Sequence, residues 1–186
     1  PTAKWVASIQ ELSEGRLLLG VGPGWMASEY KILGVDKRQR GKITDEVVDF
    51  IYRCFESTDD IVSLNGQEFL FRPKPKRPPI YVGGMTEAAL KRVVRCGEGW
   101  IPVGLDPEKI RPLAHRLKEL AEQAQKPFPK IMLLGGLPDS LQKALEDLSR
   151  CQEFGATDYI QASRYSTIEE FEKIADRLQS LKRQLG

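Results

Sequence analysis

The sequence predicts an α/β fold built on a parallel sheet. Three observations carry that expectation. Five short apolar runs are spaced along the chain, amphipathic helical stretches separate them, and the alternation holds from one end to the other. Buried parallel strands read as continuous apolar runs, because both faces are covered by helices.

Taken in order, residues 3–12 place Trp5, Ile9 and Leu12 at i, i+4 and i+7, which predicts a helix burying that stripe. Gly15 ends it. Arg16–Gly22 (RLLLGVG) is the first strand. A long polar segment, Pro23–Lys42, is expected to be a loop. A helix follows at 44–56, with Val47, Val48, Ile51, Tyr52 and Phe55 on one face. Residues 57–79 show no helical period, but Asn65-Gly66 is a turn signal for a small hairpin.

Ile80–Gly84 (IYVGG) is the second strand, followed by a helix at 86–96 that Thr86 can cap. Trp100–Val103 is the third. Asp106 and Pro107 make a cap and first turn for the next helix, which presents Ile110, Leu113, Leu117, Leu120 and Ala124. Ile131–Leu134 is the fourth strand. The helix at 140–154 carries Leu141, Ala144, Leu145, Leu148 and Cys151, and Gly155 stops it. Tyr159–Ala162 is the fifth strand. Thr167 and Glu170 form a capping box for the last helix, with Phe171, Ile174, Leu178 and Leu181 inward.

The chain has 186 residues, enough for one core, and a single domain over 1–186 is expected. Lys+Arg 28 against Asp+Glu 26 leaves +2, with no clustered basic face, so no nucleic-acid partner is expected. No run approaches the roughly 18 apolar residues of a membrane span. Cys54, Cys96 and Cys151 are too scattered for a zinc site or a disulfide framework. They are expected to be buried or half-buried thiols in a cytoplasmic protein, with no metal.

Five strands fit either an open sheet or part of a barrel, and the segment Ala3–Glu46 decides between them. It holds Leu12, Ser13, Gly15 and Arg16, then Leu19–Gly22, Gly24, Trp25, Glu29, Leu33, Gly34, Arg40 and Glu46. That order and spacing resembles the central block of the luciferase-like monooxygenase superfamily. "RPPIYVGGMTEAALKRVVRCGEGWIPVG" and the end of the chain resemble the family's later units. The resemblance implies a (β/α)8 TIM barrel, here partial, with strands four to eight and their helices. A full barrel needs eight strands and about 250 residues. Three readings of the short chain stay open. It is a piece of a longer protein, or a short gene product closed by a partner chain or swapped homodimer, or a truncated non-catalytic relative.

The resemblance also implies a cofactor, coenzyme F-420 or FMN, at the C-terminal ends of the strands, and a small organic substrate. The glycines of GVGPGW (Gly22 and Gly24) allow close backbone approach to a planar ring, and Trp25 is placed to stack on it. A tight turn with a core tryptophan is the plainer alternative. Gly83, Gly84, Met85 and Thr86, at a strand-to-helix junction, look like the family's phosphate site, since helix N-termini favour anions. A Gly84→Asp exchange is therefore expected to weaken cofactor binding. Trp100 is read equally as pocket lining or core. The order of motifs is most like the deazaflavin-using branches, which transfer hydride, with FMN-dependent monooxygenation as the alternative. Trp25 stands where the sugar-phosphate dehydrogenase branch has an acid, which argues against that activity.

Catalytic residues are unknown from this chain, because the family's basic positions lie on the strands it lacks. Glu29, Asp36 and Glu46 are candidate acids without a convincing pair, and Arg40 and Glu46 are expected to fix the long loop. The one histidine, His115, falls on the polar side of its helix. Two further classes of function make distinct demands on the sequence. An assembly or flavin-capture subunit would lack the upstream strands. An open-sheet dinucleotide binder would need G-x-G-x-x-G opening a helix, which Gly20–Gly24 does not supply.

Overall fold

A computed structural model describes residues 1–185. The chain divides into two compact units, Pro1–Val82 and Gly83–Gly186. The elements in order are α1 (Thr2–Leu12), β1 (Leu19–Val21), α2 (Ala27–Ile32), α3 (Arg40–Glu56), β2 (Ile61–Leu64), β3 (Gln67–Leu70) and β4 (Ile80–Gly83). They continue with α4 (Glu87–Cys96), β5 (Gly99–Ile101), α5 (Pro107–Gln123), β6 (Lys130–Gly135), α6 (Leu141–Gln152), β7 (Ala156–Gln161) and α7 (Ile168–Leu185). The parallel sheet follows the order β1-β4-β5-β6-β7, so its ladder does not close, and β2 with β3 forms a separate pair. This is the predicted α/β alternation, strand for strand.

In the first unit, β1 and β4 run parallel with Val21 opposite Val82, so both strands end on one edge. The predicted hairpin is present. Its strands are antiparallel, with Leu64 opposite Gln67 across Asn65 and Gly66. Phe71 follows it, fully buried, its ring edge-on to Phe55 of α3 at 5.2 Å.

Two expectations fail here. α1 forms, but its buried residues are Ala3, Val6, Ala7 and Gln10. Trp5, Ile9 and Leu12 are 67%, 50% and 84% exposed. The inward face is the small one, and its single polar side chain is satisfied. Gln10 Nε2 donates to the Lys76 carbonyl at 3.0 Å and Oε1 accepts from Leu17 N at 3.2 Å. A buried amide with partners costs little, so the periodicity was real and its direction was reversed.

The second failure is the polar segment, which is not a loop throughout. It holds α2, none of whose residues is buried, and a 3-10 turn at Lys37–Gln39. α3 then starts at Arg40, four residues before the expected start at 44. The 3-10 turn that leads into it is capped by Asp36, which accepts from Arg38 N at 2.9 Å, whereas α3 itself, with Gln39 at its N-cap, has no side-chain cap.

The second unit keeps its predicted caps. Thr86 and Asp106 accept from the Ala89 and Glu108 backbone N–H groups, and Glu170 N donates to the Thr167 hydroxyl; Ser140, which was not among them, caps α6 by accepting from Lys143 N. α5 buries Ile110, Ala114, Leu117 and Ala121, while Ala124 is exposed. α7 buries only Leu181. Phe171 stays half exposed and meets the Tyr165 ring at 5.2 Å.

Cys54 and Cys151 are buried and Cys96 is half-buried. Burial pushes the Cys151 thiol from 9.0 up to about 11, and the Tyr159 hydroxyl from 10.0 up to about 12. Both groups are favoured neutral in the fold. Their stabilisation is therefore complete below pH 9 and is lost as pH rises through these raised values. Urea midpoints are expected to be level from pH 7 to 9 and to fall above it. Tyr159→Phe should remove the upper part of that fall; an unchanged curve in the variant would assign it elsewhere. No helix among the described residues is long and apolar enough to cross a membrane.

Candidate functional site: a glycine turn at the start of a helix

β4 is buried along its length and opens into Gly83, Gly84, Met85 and Thr86 before α4 begins. Thr86 is extended, and its Oγ1 accepts from Ala89 N at 3.3 Å. Gly84 has φ +128°, a region L-residues rarely enter, and a Cβ there would lie 3.0 Å from the Ala89 Cβ. Glycine is therefore dictated by the turn itself. A carboxylate introduced at 84 perturbs the backbone as well as the charge, so the Gly84→Asp exchange does not isolate a phosphate contact.

The turn is held at both ends of the Gly84 residue. Its N–H donates to the Ile101 carbonyl at 3.3 Å, and its carbonyl accepts from Trp100 Nε1 at 2.7 Å. The backbone N–H groups of Met85, Thr86, Glu87 and Ala88 have no protein acceptor among the described residues. Four unsatisfied donors at a helix start form an anion-attracting cluster. Glu87 sits beside it. Its charge is offset by Arg116 at 2.8 Å and Lys91 at 3.7 Å, and the Arg116 guanidinium holds its carboxyl below the usual range.

The other predicted segment lies past β1. Gly22 and Gly24 are exposed. Gly24 has φ +74°, and a Cβ on it would stand 3.2 Å from the Tyr30 hydroxyl. Trp25 is 77% exposed, which rules out the core-tryptophan alternative. Lys37 Nζ fixes its carbonyl at 2.7 Å. Gly22, Gly24 and Trp25 thus share one surface loop, and Gly83–Thr86 share one turn.

The candidate acids resolve into structural roles or remain at the surface. Asp36 is a cap, and Arg38 at 2.9 Å holds its carboxyl low. Arg40 Nη1 donates to the Lys37 carbonyl at 3.0 Å, and Glu46 pairs with Lys42 at 3.7 Å within α3. Glu29 is exposed on α2. His115 is exposed on α5. His115→Ala is expected to shift stability by less than about 0.5 kcal/mol and to leave cofactor binding unchanged, checked by melting and titration.

Two features escaped the sequence reading. Trp100 is in the core, and its one polar atom serves the glycine turn; a buried indole needs a partner, but nothing in the sequence says which. At the end of β7, the Tyr159 hydroxyl lies 2.5 Å from the Gly135 carbonyl and also meets Gln161 Oε1, which accepts from Leu137 N at 3.3 Å.

Comparison with known proteins gives the family. The model for luciferase-like monooxygenases matches residues 1–180. A protein of Mycobacterium tuberculosis is 32% identical over 167 residues, covering 85% of this chain and 55% of its own length. The chain therefore spans about half the length of the curated relatives it matches. Among solved structures, a monooxygenase from Streptomyces bottropensis superposes with TM-score 0.74 at 16% identity, over 96% of this chain and 70% of that one. An F-420-dependent secondary alcohol dehydrogenase bound to an F-420–acetone adduct gives 0.61 at 19%, over 97% and 66%. The fold is thus that of luciferase-like TIM-barrel enzymes, present in part, and the chain belongs to the luciferase-like monooxygenase family.

Proposed function

We propose that this chain forms the cofactor-holding part of an F-420-dependent oxidoreductase that moves hydride to or from a small organic substrate. The observation that carries it is the Gly83–Thr86 turn, with four N–H groups that have no protein acceptor among the described residues and a hydroxyl at a helix start. That set suits a phosphate ester, which both cofactors of the family bear. Gly83, Gly84, Met85 and Thr86 would hold it. Within the Pro1–Val82 unit, Gly22 and Gly24 leave the backbone open to a planar ring, and the exposed Trp25 offers it an aromatic face.

When bound, a deazaflavin supplies the hydride chemistry; the chain's own residues bind, orient and keep water from the ring. The similarity to an F-420-dependent dehydrogenase supports this choice. A second reading, FMN-dependent monooxygenation, is favoured by the higher-scoring similarity to a monooxygenase.

Trp25 is the accessible aromatic surface in this scheme. Trp25→Ala is expected to weaken ring binding about tenfold, the scale of one lost aromatic contact, with little change in melting.

Native mass spectrometry and fluorescence titration test the proposal. Coenzyme F-420 binding more tightly than FMN supports hydride transfer. The reverse order favours monooxygenation. Binding of neither overturns both.

A further inference from the structure

We propose that Trp100 is a positioning residue that aims the phosphate-binding turn. The inference rests on the phosphate reading above.

Trp100 is fully buried on β5, and its indole N–H donates to the Gly84 carbonyl at 2.7 Å. The Gly84–Met85 peptide is trans, since the one cis bond in the described chain is Arg72-Pro73. In a trans peptide the carbonyl and the following N–H point in opposite directions. Drawing the Gly84 carbonyl toward the core therefore turns the Met85 N–H away from it. That N–H is the first of the four without a protein acceptor. The Gly84 N–H is pinned separately to the Ile101 carbonyl at 3.3 Å, so the indole governs the one peptide plane that this bond leaves undetermined.

The geometry gives the indole a consequence beyond finding a partner for itself. Gly84 sits at φ +128°, where an unclamped glycine has several accessible orientations. Flipping the plane would turn a carbonyl oxygen outward, beside the exposed side of Thr86 and Glu87. An oxygen facing a phosphate repels it, whereas an N–H attracts it. One hydrogen bond in the core thus sets the sign of the surface at the turn.

Trp100→Phe keeps the aromatic volume and removes the donor. Two ligand pairs read the result: FMN against riboflavin, and coenzyme F-420 against its phosphate-free ring-and-ribityl form. The wild type is expected to prefer the phosphorylated member of at least one pair. The variant should lose about tenfold of that preference, the scale of a hydrogen bond to a charged group, while its affinity for the phosphate-free member stays level.

Equal loss for both members would make Trp100 merely structural and overturn the inference. So would full retention of the preference. A wild type with no preference would instead overturn the phosphate reading itself. If the phenylalanine variant does not fold, benzothienylalanine at position 100, with sulfur in place of the indole N–H, removes the donor with the ring shape kept and is scored by the same outcomes.

Discussion

Gly84→Ala is expected to destabilise the Gly83–Gly186 unit by about 2–4 kcal/mol and to abolish the preference for phosphorylated ligands. Two costs combine. A side chain at φ +128° is strained by about 1–3 kcal/mol. Its Cβ also meets the buried Ala89 Cβ at 3.0 Å, and forcing an extra methyl into a packed site costs about 1–3 kcal/mol. Relief of either requires the turn to move, and the turn carries the Met85 N–H.

Ala89→Gly separates the two contributions. Alone it costs about 1 kcal/mol as a glycine inside α4. Combined with Gly84→Ala it removes the close contact and leaves the strain, so the double variant should be more stable than the two single costs added. Denaturant midpoints of the three variants measure this directly. A Gly84→Ala protein as stable as the wild type would mean that the turn is not under the constraint described. Against that background, the difference between Gly84→Asp and the isosteric Gly84→Asn in ligand affinity reports the charge.

What the sequence made legible follows from what its signals encode. Residues 80–82 of β4 and 131–133 of β6 are continuous apolar runs, and each run is buried. Thr86, Asp106 and Thr167 were readable as caps because a side-chain oxygen next to an N–H two or three residues on is a local event. Helix periodicity is different. It says which residues share a face, not which face finds a partner, and α1 shows the difference. Trp5, Ile9 and Leu12 share a face that stays half or more exposed, while Ala3 and Ala7 face inward.

The site was legible in the same measure. Gly83–Thr86 was placed at a helix start, where it is. Its partner Trp100 lies sixteen positions away on another strand. Such a contact depends on the pairing of strands, which the pattern of one strand does not contain. α2 was missed for a related reason. None of its residues is buried, so it has no apolar stripe to announce it.

Phe71 concentrates the stability of the Pro1–Val82 unit at one position. Its ring is fully buried, edge-on to Phe55 of α3 at 5.2 Å, and Lys4 of α1 lies 5.7 Å from its centroid. Its backbone N–H donates to the Asp60 carbonyl at 2.6 Å, which fastens the base of the hairpin. One side chain thus joins α1, α3 and the β2–β3 pair. Phe71→Ala is expected to cost about 3–5 kcal/mol, because transfer energy and a cavity add where the surroundings cannot collapse. The walls here are a helix on each side and a hairpin held by its own ladder, so little collapse is expected. Phe71→Leu retains most of the volume and should cost less than half as much. The Lys4 cation sits near the ring face, yet Lys4→Met should cost under about 1 kcal/mol, since an exposed cation–π contact is worth no more. A denaturant series over the three variants ranks them. A Phe71→Ala protein that loses less than about 1 kcal/mol would show that α1, α3 and the hairpin are held together by something other than this ring.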